Sequence, residues 1–272
     1  MKRFSNYCGG AELSYSYLLA EKRTKTFIDA VRKTVKKYHI VLEAGTGTGI
    51  LSIVAATAGC KKVYAIEQNR LLIPQLKRNI INLGLADKIE VIEGDASKIK
   101  VPEKIDLIIC EMICAGLIDE PQIPVLNHLL KFLKKDGFVI PANAKIVVDL
   151  AYDNYSYFGY ELPYLHFENP RRIAKPMTES ELFAIIDFNK INSPCLTNQI
   201  RLKAINDGSI NAIRISTETE IVKGLVLGEC EAYCPVLIVP LQELKIKKGD
   251  IKTLDLSYKM GDGMLTIKHK IL

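Results

Sequence analysis

Apolar positions recur along this chain with two alternating periods. Over residues 13–38 they fall at Leu13, Tyr17, Leu18, Phe27, Ile28, Val31 and Val35. That three-to-four spacing predicts an amphipathic helix, broken near Lys22–Thr26. The period then changes. The run His39-Ile40-Val41-Leu42-Glu43 reads as a short buried strand. Ile50 to Ala58 reads as a helix stopped by Gly59, and Lys62 to Glu67 as a second strand. Leu71 to Leu83 is helical with Gly84 as its stop; Ile89 to Ile92 and Ile105 to Cys110 are a third and a fourth strand. Val125 to Leu133 is helical, and Gly137 to Ile140 is a fifth strand. Strands that alternate with helices and stop at glycines predict βαβ units and a parallel, doubly wound sheet.

After Pro141 the pattern shortens. Lys145–Ala151, Phe183–Phe188, Ile200–Asn206, Ile210–Glu220, Pro235–Pro240, Thr253–Tyr258 and Leu265–Lys270 are alternating segments. Turn signals such as Asn206-Asp207-Gly208 and Gly261-Asp262-Gly263 separate them, which predicts an antiparallel β unit. The chain thus divides into an amino-terminal helical segment (1–38), a Rossmann-like α/β part (39–141) and a β-rich part (142–272).

Composition changes this picture little. With 48% hydrophobic and 25% charged residues in 272, disorder and low-complexity structure are excluded. No apolar run approaches the roughly 18 residues a membrane-spanning helix needs. The opening Met1–Tyr7 leads into no apolar core, so no signal peptide is expected. Seven cysteines form an odd set, which predicts free thiols and a reducing, cytoplasmic location. Charge is more informative. Residues 1–38 hold nine Lys and Arg against three acids, an excess equal to the net +6 of the whole chain. A basic lid on a neutral body can meet an anion, although a solvated helix face is the plainer reading.

The sharpest motif is Glu43-Ala44-Gly45-Thr46-Gly47-Thr48-Gly49, between a strand and a helix. Glycines there let the backbone turn tightly and let a ligand approach without a Cβ in the way. Amide N–H groups at the helix start then face that ligand. A dinucleotide fingerprint is G-x-G-x-x-G; here the third glycine falls one place early and an acid precedes the first. This E-x-G-x-G-x-G form is similar to the first motif of class I S-adenosylmethionine methyltransferases, with a nicotinamide dinucleotide as the competing reading. Glu67 ends the second strand, 22 residues after Gly45, where a carboxylate can accept hydrogen bonds from both ribose hydroxyls. Glu93-Gly94-Asp95-Ala96 follows the third strand; Asp95 there can accept from an adenine amino group while the Ala96 N–H meets the ring.

After the fourth strand come Glu111 and Glu120, nine residues apart around one loop. The carboxyl ends of these strands form the crevice of such folds, and two facing carboxylates can clamp a guanidinium through forked hydrogen bonds. Here the chain resembles the protein arginine methyltransferases, whose double-glutamate loop has this spacing. The resemblance extends over Val41–Ala58, Lys62–Glu67 and Gly137–Pro141, and over Leu18, Arg23 and Thr24. It implies that Arg23 meets the methionine carboxylate of S-adenosylmethionine, that Glu43, Gly45, Gly47, Gly49, Glu67, Asp95 and Ala96 form the cofactor site, that Glu111 and Glu120 are catalytic, and that the β half is a shortened, barrel-like domain.

The departures are equally specific. Met112-Ile113-Cys114-Ala115 stands where the family has W-M-G-Y, and Glu231-Ala232-Tyr233 stands where it has T-H-W. The family's amino-terminal tyrosines fall on Phe4 and Cys8, with Tyr7 nearby, and its histidine falls on Ser14. The stretch 152–182 is shorter than the family's dimerisation arm. The expected activity is therefore S-adenosylmethionine-dependent methyl transfer, yielding S-adenosylhomocysteine, most simply to nitrogen. The acceptor stays open between a protein arginine, a small molecule and RNA, although no RNA-binding motif is present. The oligomeric state is also open, and a non-catalytic cofactor-binding scaffold is the alternative. Cys110-x3-Cys114 with Cys230-x3-Cys234 has a spacing that zinc permits, but no histidine joins the pairs and no metal is expected. The aromatic stretch Tyr152 to Phe167 reads as core or interface.

Overall fold

A computed structural model describes residues 9–229 and 234–272, with side chains from residue 14 onward. Phe4, Tyr7, Cys8, Cys230, Glu231, Ala232 and Tyr233 therefore lie outside the described residues.

The amphipathic segment forms two helices, α1 (Gly9–Leu19) and α2 (Glu21–Thr34). The break falls at Ala20 (φ −72°, ψ 79°), earlier than the expected Lys22–Thr26. The Thr24 hydroxyl donates to the Tyr17 carbonyl across it, taking up a carbonyl that the interrupted helix leaves free. The apolar stripe of α2, with Phe27, Ala30 and Val31, is buried, and it packs on α3 (Ile50–Thr57).

The strands β1 (Ile40–Ala44), β2 (Lys62–Glu67), β3 (Ile89–Glu93), β4 (Ile105–Cys110) and β5 (Leu133–Ile140) make one sheet in the order β3-β2-β1-β4-β5. All its pairings are parallel. Strand order reverses between β1 and β4, which opens a crevice at their carboxyl ends. The helix α4 (Ile73–Asn82) links β2 to β3, and α5 (Gln122–Leu129) links β4 to β5. α5 lies about one turn earlier than the expected Val125–Leu133. Pro121 at its N-cap and Pro124 in its first turn sit where a missing N–H leaves no helical bond unmade. The chain leaves the helix by Phe132, whose carbonyl accepts the Ile105 N–H at 2.9 Å, so the fifth strand begins at Leu133.

The cis Ile140–Pro141 bond leads into the antiparallel half. β6 (Asn143–Tyr152) pairs with β11 (Glu181–Asp187) and β13 (Gly208–Val222), and β13 pairs with β15 (Leu237–Ile246). Short strands β7 (Ser156–Tyr157), β8 (Tyr160–Glu161), β9 (His166–Phe167), β10 (Lys175–Pro176) and β14 (Leu225–Leu227) decorate this layer. β12 (Cys195–Lys203), β16 (Ile251–Lys259) and β17 (Lys268–Ile271) form a second sheet. One hydrophobic core runs from Val41, Leu107 and Ile140 through Ala144 and Ile215 to Leu254 and Tyr258, so the α/β and β layers share a single interior.

Candidate active site

The glycine-rich turn is built from the inside by Glu43. This residue is buried, and its Oε2 accepts from the Thr46 hydroxyl at 2.6 Å, from the Ser52 N–H at 2.8 Å, and from the Ser52 hydroxyl. Burial pushes its carboxyl up to about 7 against the pull of those donors. Glu43 thus ties the turn to the first turn of α3. Gly45, Gly47 and Gly49 have φ of +69°, +55° and +84°, which only glycine adopts without strain. A Cβ on Gly47 would stand 3.3 Å from the Ser14 hydroxyl of α1, and one on Gly45 would stand 2.6 Å from Met112 Cε. The turn is therefore approached closely by both the amino-terminal helix and the loop after β4.

Glu67 ends β2 in a buried position. Its Oε2 accepts the Gly47 N–H at 2.8 Å and its Oε1 the Asn69 N–H at 2.7 Å. Each carboxylate oxygen carries a second lone pair, so acceptor capacity remains for a ligand hydroxyl. The neighbouring strand end brings Asp95 near: Glu67 pairs with Glu93, and the Gly94 N–H donates to the Glu67 carbonyl at 2.9 Å. Asp95 Oδ1 accepts from the Ser97 N–H and hydroxyl, and the Lys98 ammonium lies 2.7 Å from Oδ2. Burial opposes ionisation there, but Lys98 and Ser97 outweigh it and hold the carboxyl down at about 2. Ala96 is buried beside it.

The loop after β4 carries the acidic pair. Glu111 forms a buried ion pair with the Arg23 guanidinium of α2, their side chains 9% and 8% exposed. Arg23 also stacks over the Tyr17 ring at 4.3 Å. Glu120 is half-buried; desolvation, then the nearby Asp119, raises its pKa. Glu120 is in turn the largest electrostatic influence on Tyr17, whose phenol burial and that carboxylate push up to about 12. So Arg23, Glu111, Glu120 and Tyr17 converge on one wall of the crevice. Tyr17 escapes sequence reasoning because a continuous helix would set it and Arg23, six residues apart, on different faces; the break at Ala20 brings them together.

The β half braces this loop. The Gly116 N–H donates to Thr217 Oγ1 of β13 at 2.8 Å, and Leu117 and Ile118 carbonyls accept the Gly261 and Gly263 N–H groups at 2.9 and 3.0 Å. Leu117 is held at φ +58°, a strained conformation for a branched side chain that such bracing maintains. Inside the loop the Cys114 thiol, pushed up to about 11 chiefly by burial, accepts the Asp119 and Glu120 N–H groups. The aromatic stretch is mostly surface: Phe158, Tyr160 and Tyr164 are exposed and Tyr155 is buried. Among the described residues no group of three or more His, Cys, Asp or Glu converges as metal ligands, and no helix is long and apolar enough to cross a membrane.

With this geometry in view, comparisons with known proteins are specific. Uncharacterized protein MJ1452 of Methanocaldococcus jannaschii is 33% identical over 256 residues, covering 93% of this chain and 94% of that one. The family model for ribosomal protein L11 methyltransferase (PrmA) matches residues 21–142. The chain belongs to one family with MJ1452, and it resembles the S-adenosylmethionine-dependent methyltransferases, the protein arginine methyltransferases among them. Protein arginine N-methyltransferase 6 of Danio rerio is 34% identical over 133 residues, a match spanning 46% of this chain and 37% of that one. The Trypanosoma brucei PRMT1 enzyme–prozyme heterotetrameric complex with AdoHcy has the same fold, with a TM-score of 0.75 over 95% of this chain and 96% of that chain at 20% identity.

The residues present fit the cofactor of these methyltransferases. The turn at Gly45–Gly49 holds three glycines at positive φ, Glu67 is a buried acceptor at the end of β2, and Asp95–Ala96 follow the end of the adjacent β3. A groove of about 360 Å³ on the α3–α4 side, lined by Leu18, Gly47, Thr48, Ile53, Gln75 and Asn79 among others, meets the glycine-rich turn at Gly47; none of Glu67, Asp95, Glu111 or Glu120 lines it.

Proposed function

We propose that this chain transfers a methyl group from S-adenosylmethionine to nitrogen, with a protein arginine guanidinium as the acceptor that best suits the crevice. The observation that carries this reading is the Arg23–Glu111 pair. A guanidinium already sits on the carboxylate of β4's loop, where forked bonding and aromatic stacking favour arginine over other cations. In this reading S-adenosylmethionine supplies the activated methyl. Glu67 takes the ribose hydroxyls, Asp95 and Ala96 take the adenine, and Gly45, Gly47 and Gly49 allow close approach. Glu43 acts through the turn it ties. Residues 1–38 close as a basic lid in which Arg23 moves to the cofactor carboxylate and leaves Glu111 to the acceptor.

Glu111 and Glu120 then hold and orient the nucleophilic nitrogen, and the gain comes from alignment and preorganised charge. Glu120, whose affinity for a proton burial has raised, takes the proton the nitrogen gives up. The test is tritium transfer from labelled cofactor to a glycine- and arginine-rich peptide. Wild-type transfer that falls at least tenfold in the Glu111→Gln, Glu120→Gln double variant, with AdoHcy affinity kept, is expected if each charged contact is worth about 1.5–3 kcal/mol. Equal transfer by wild type and double variant would contradict the clamp.

A further inference from the structure

Gln122, in the first turn of α5, has a place in the site that neither its position nor the family resemblance assigns. It is fully buried, with 0% of its surface exposed. Its side-chain Nε2 donates to the Cys110 carbonyl at 2.7 Å, and its Oε1 accepts the Met112 N–H at 2.9 Å. Those two backbone groups flank Glu111. A carbonyl at one position and an N–H two residues on are the groups a neighbouring strand would engage. Here both neighbours have run out: the last sheet pairings of β4 are Ala44 with Cys110 and Ile140 with Ile109. The Gln122 amide supplies the missing partner and extends the strand's order by one residue, to Glu111.

The same side chain links the two carboxylates. Glu120 lies two residues before Gln122, across Pro121, whose ring fixes its own φ. The backbone at Glu111 is thus pinned to the turn that carries Glu120 through the Gln122 amide, beside the bonds that Cys114 and the β half make to the rest of the loop. Because the amide donates on one side and accepts on the other, it fits this carbonyl and N–H in one orientation only. We infer that Gln122 is a positioning residue that fixes Glu111 against Glu120 for the acceptor. This inference rests on the acceptor reading of those two glutamates.

The test uses the full chain and two variants. Gln122→Met keeps approximate shape and removes both bonding groups; Gln122→Glu keeps an acceptor for Met112 and puts a second acceptor against the Cys110 carbonyl. Thermal midpoints and AdoHcy affinity are measured by calorimetry, and transfer to the arginine-rich peptide by tritium counting. If Gln122 aims Glu111, kcat falls about 10- to 100-fold in each folded variant while AdoHcy affinity stays within about threefold, since misplacement by an ångström is felt in alignment and not in cofactor contacts. The same substitutions in a Glu111→Gln background should then add almost nothing, because the two residues act through one contact. Full additivity in that background, an AdoHcy loss as large as the loss in kcat, or wild-type kcat in both variants would each overturn the inference while leaving the methyl-transfer reading standing. Absence of transfer by the wild type would overturn that reading and the inference with it.

Discussion

At the scale of single residues, the site is a set of carboxyl groups with different tasks set by what surrounds them. Glu67 is held by two backbone N–H groups at the end of β2; Glu43 is enclosed by Thr46 and Ser52. Substituting Glu67 by Ala should weaken AdoHcy binding by about 1–3 kcal/mol, the usual penalty for leaving polar partners unmatched; unchanged affinity by calorimetry would remove Glu67 from the cofactor site. Glu43 has a different signature. Its folded pKa is raised from the ordinary 4.5 to about 7, so the folded state binds its proton more tightly than the unfolded chain. The associated stability is present below pH 4.5 and is lost as pH rises through about 7. Replacing Glu43 by Gln should flatten the fall in thermal midpoint over that interval, whereas an unchanged pH profile would show that Glu43 is ionised throughout.

At the scale of elements, the parallel half is legible because its strands and helices differ in period and two of its helices stop at glycine. Gly59 and Gly84 have φ of +98° and +66° and stand just past the helices they were expected to stop. The errors have local causes. α5 slides toward Pro121 and Pro124 because proline is free of penalty in a first turn. Tyr17 is hidden by the Ala20 break, and Gln122 is hidden because an amide in a first helical turn ordinarily faces water. The bracing of the acidic loop by β13 was equally invisible, since Gly116 and Thr217 are 101 residues apart. That brace can be measured. Thr217→Val keeps the shape but orphans the buried Gly116 N–H, and should lower unfolding free energy by about 1–3 kcal/mol. A denaturation midpoint equal to wild type would show that the loop holds itself.

At the scale of the molecule, one interior joins the layers. Residues of β1, β4 and β5 pack in the same buried cluster as those of β6, β13 and β16, and the acidic loop lies between them, bonded to the β half and continuous with the parallel sheet. A scan of heat capacity should therefore show one cooperative transition; two separated transitions would mean that the halves fold apart and that the crevice joins independent units. The β half reaches the acidic loop through the Thr217 hydroxyl and the Gly261 and Gly263 N–H groups, which brace the loop around the positive φ of Leu117.

Methyl transfer itself is tested most directly by incubating the full chain and labelled S-adenosylmethionine with a fractionated lysate, counting protein, RNA and small molecules separately, and hydrolysing the labelled fraction. The expected result is label in protein, recovered as methylated arginine, and lost in the Glu111→Gln, Glu120→Gln variant. Label confined to RNA or small molecules, or no label in any fraction, would contradict it.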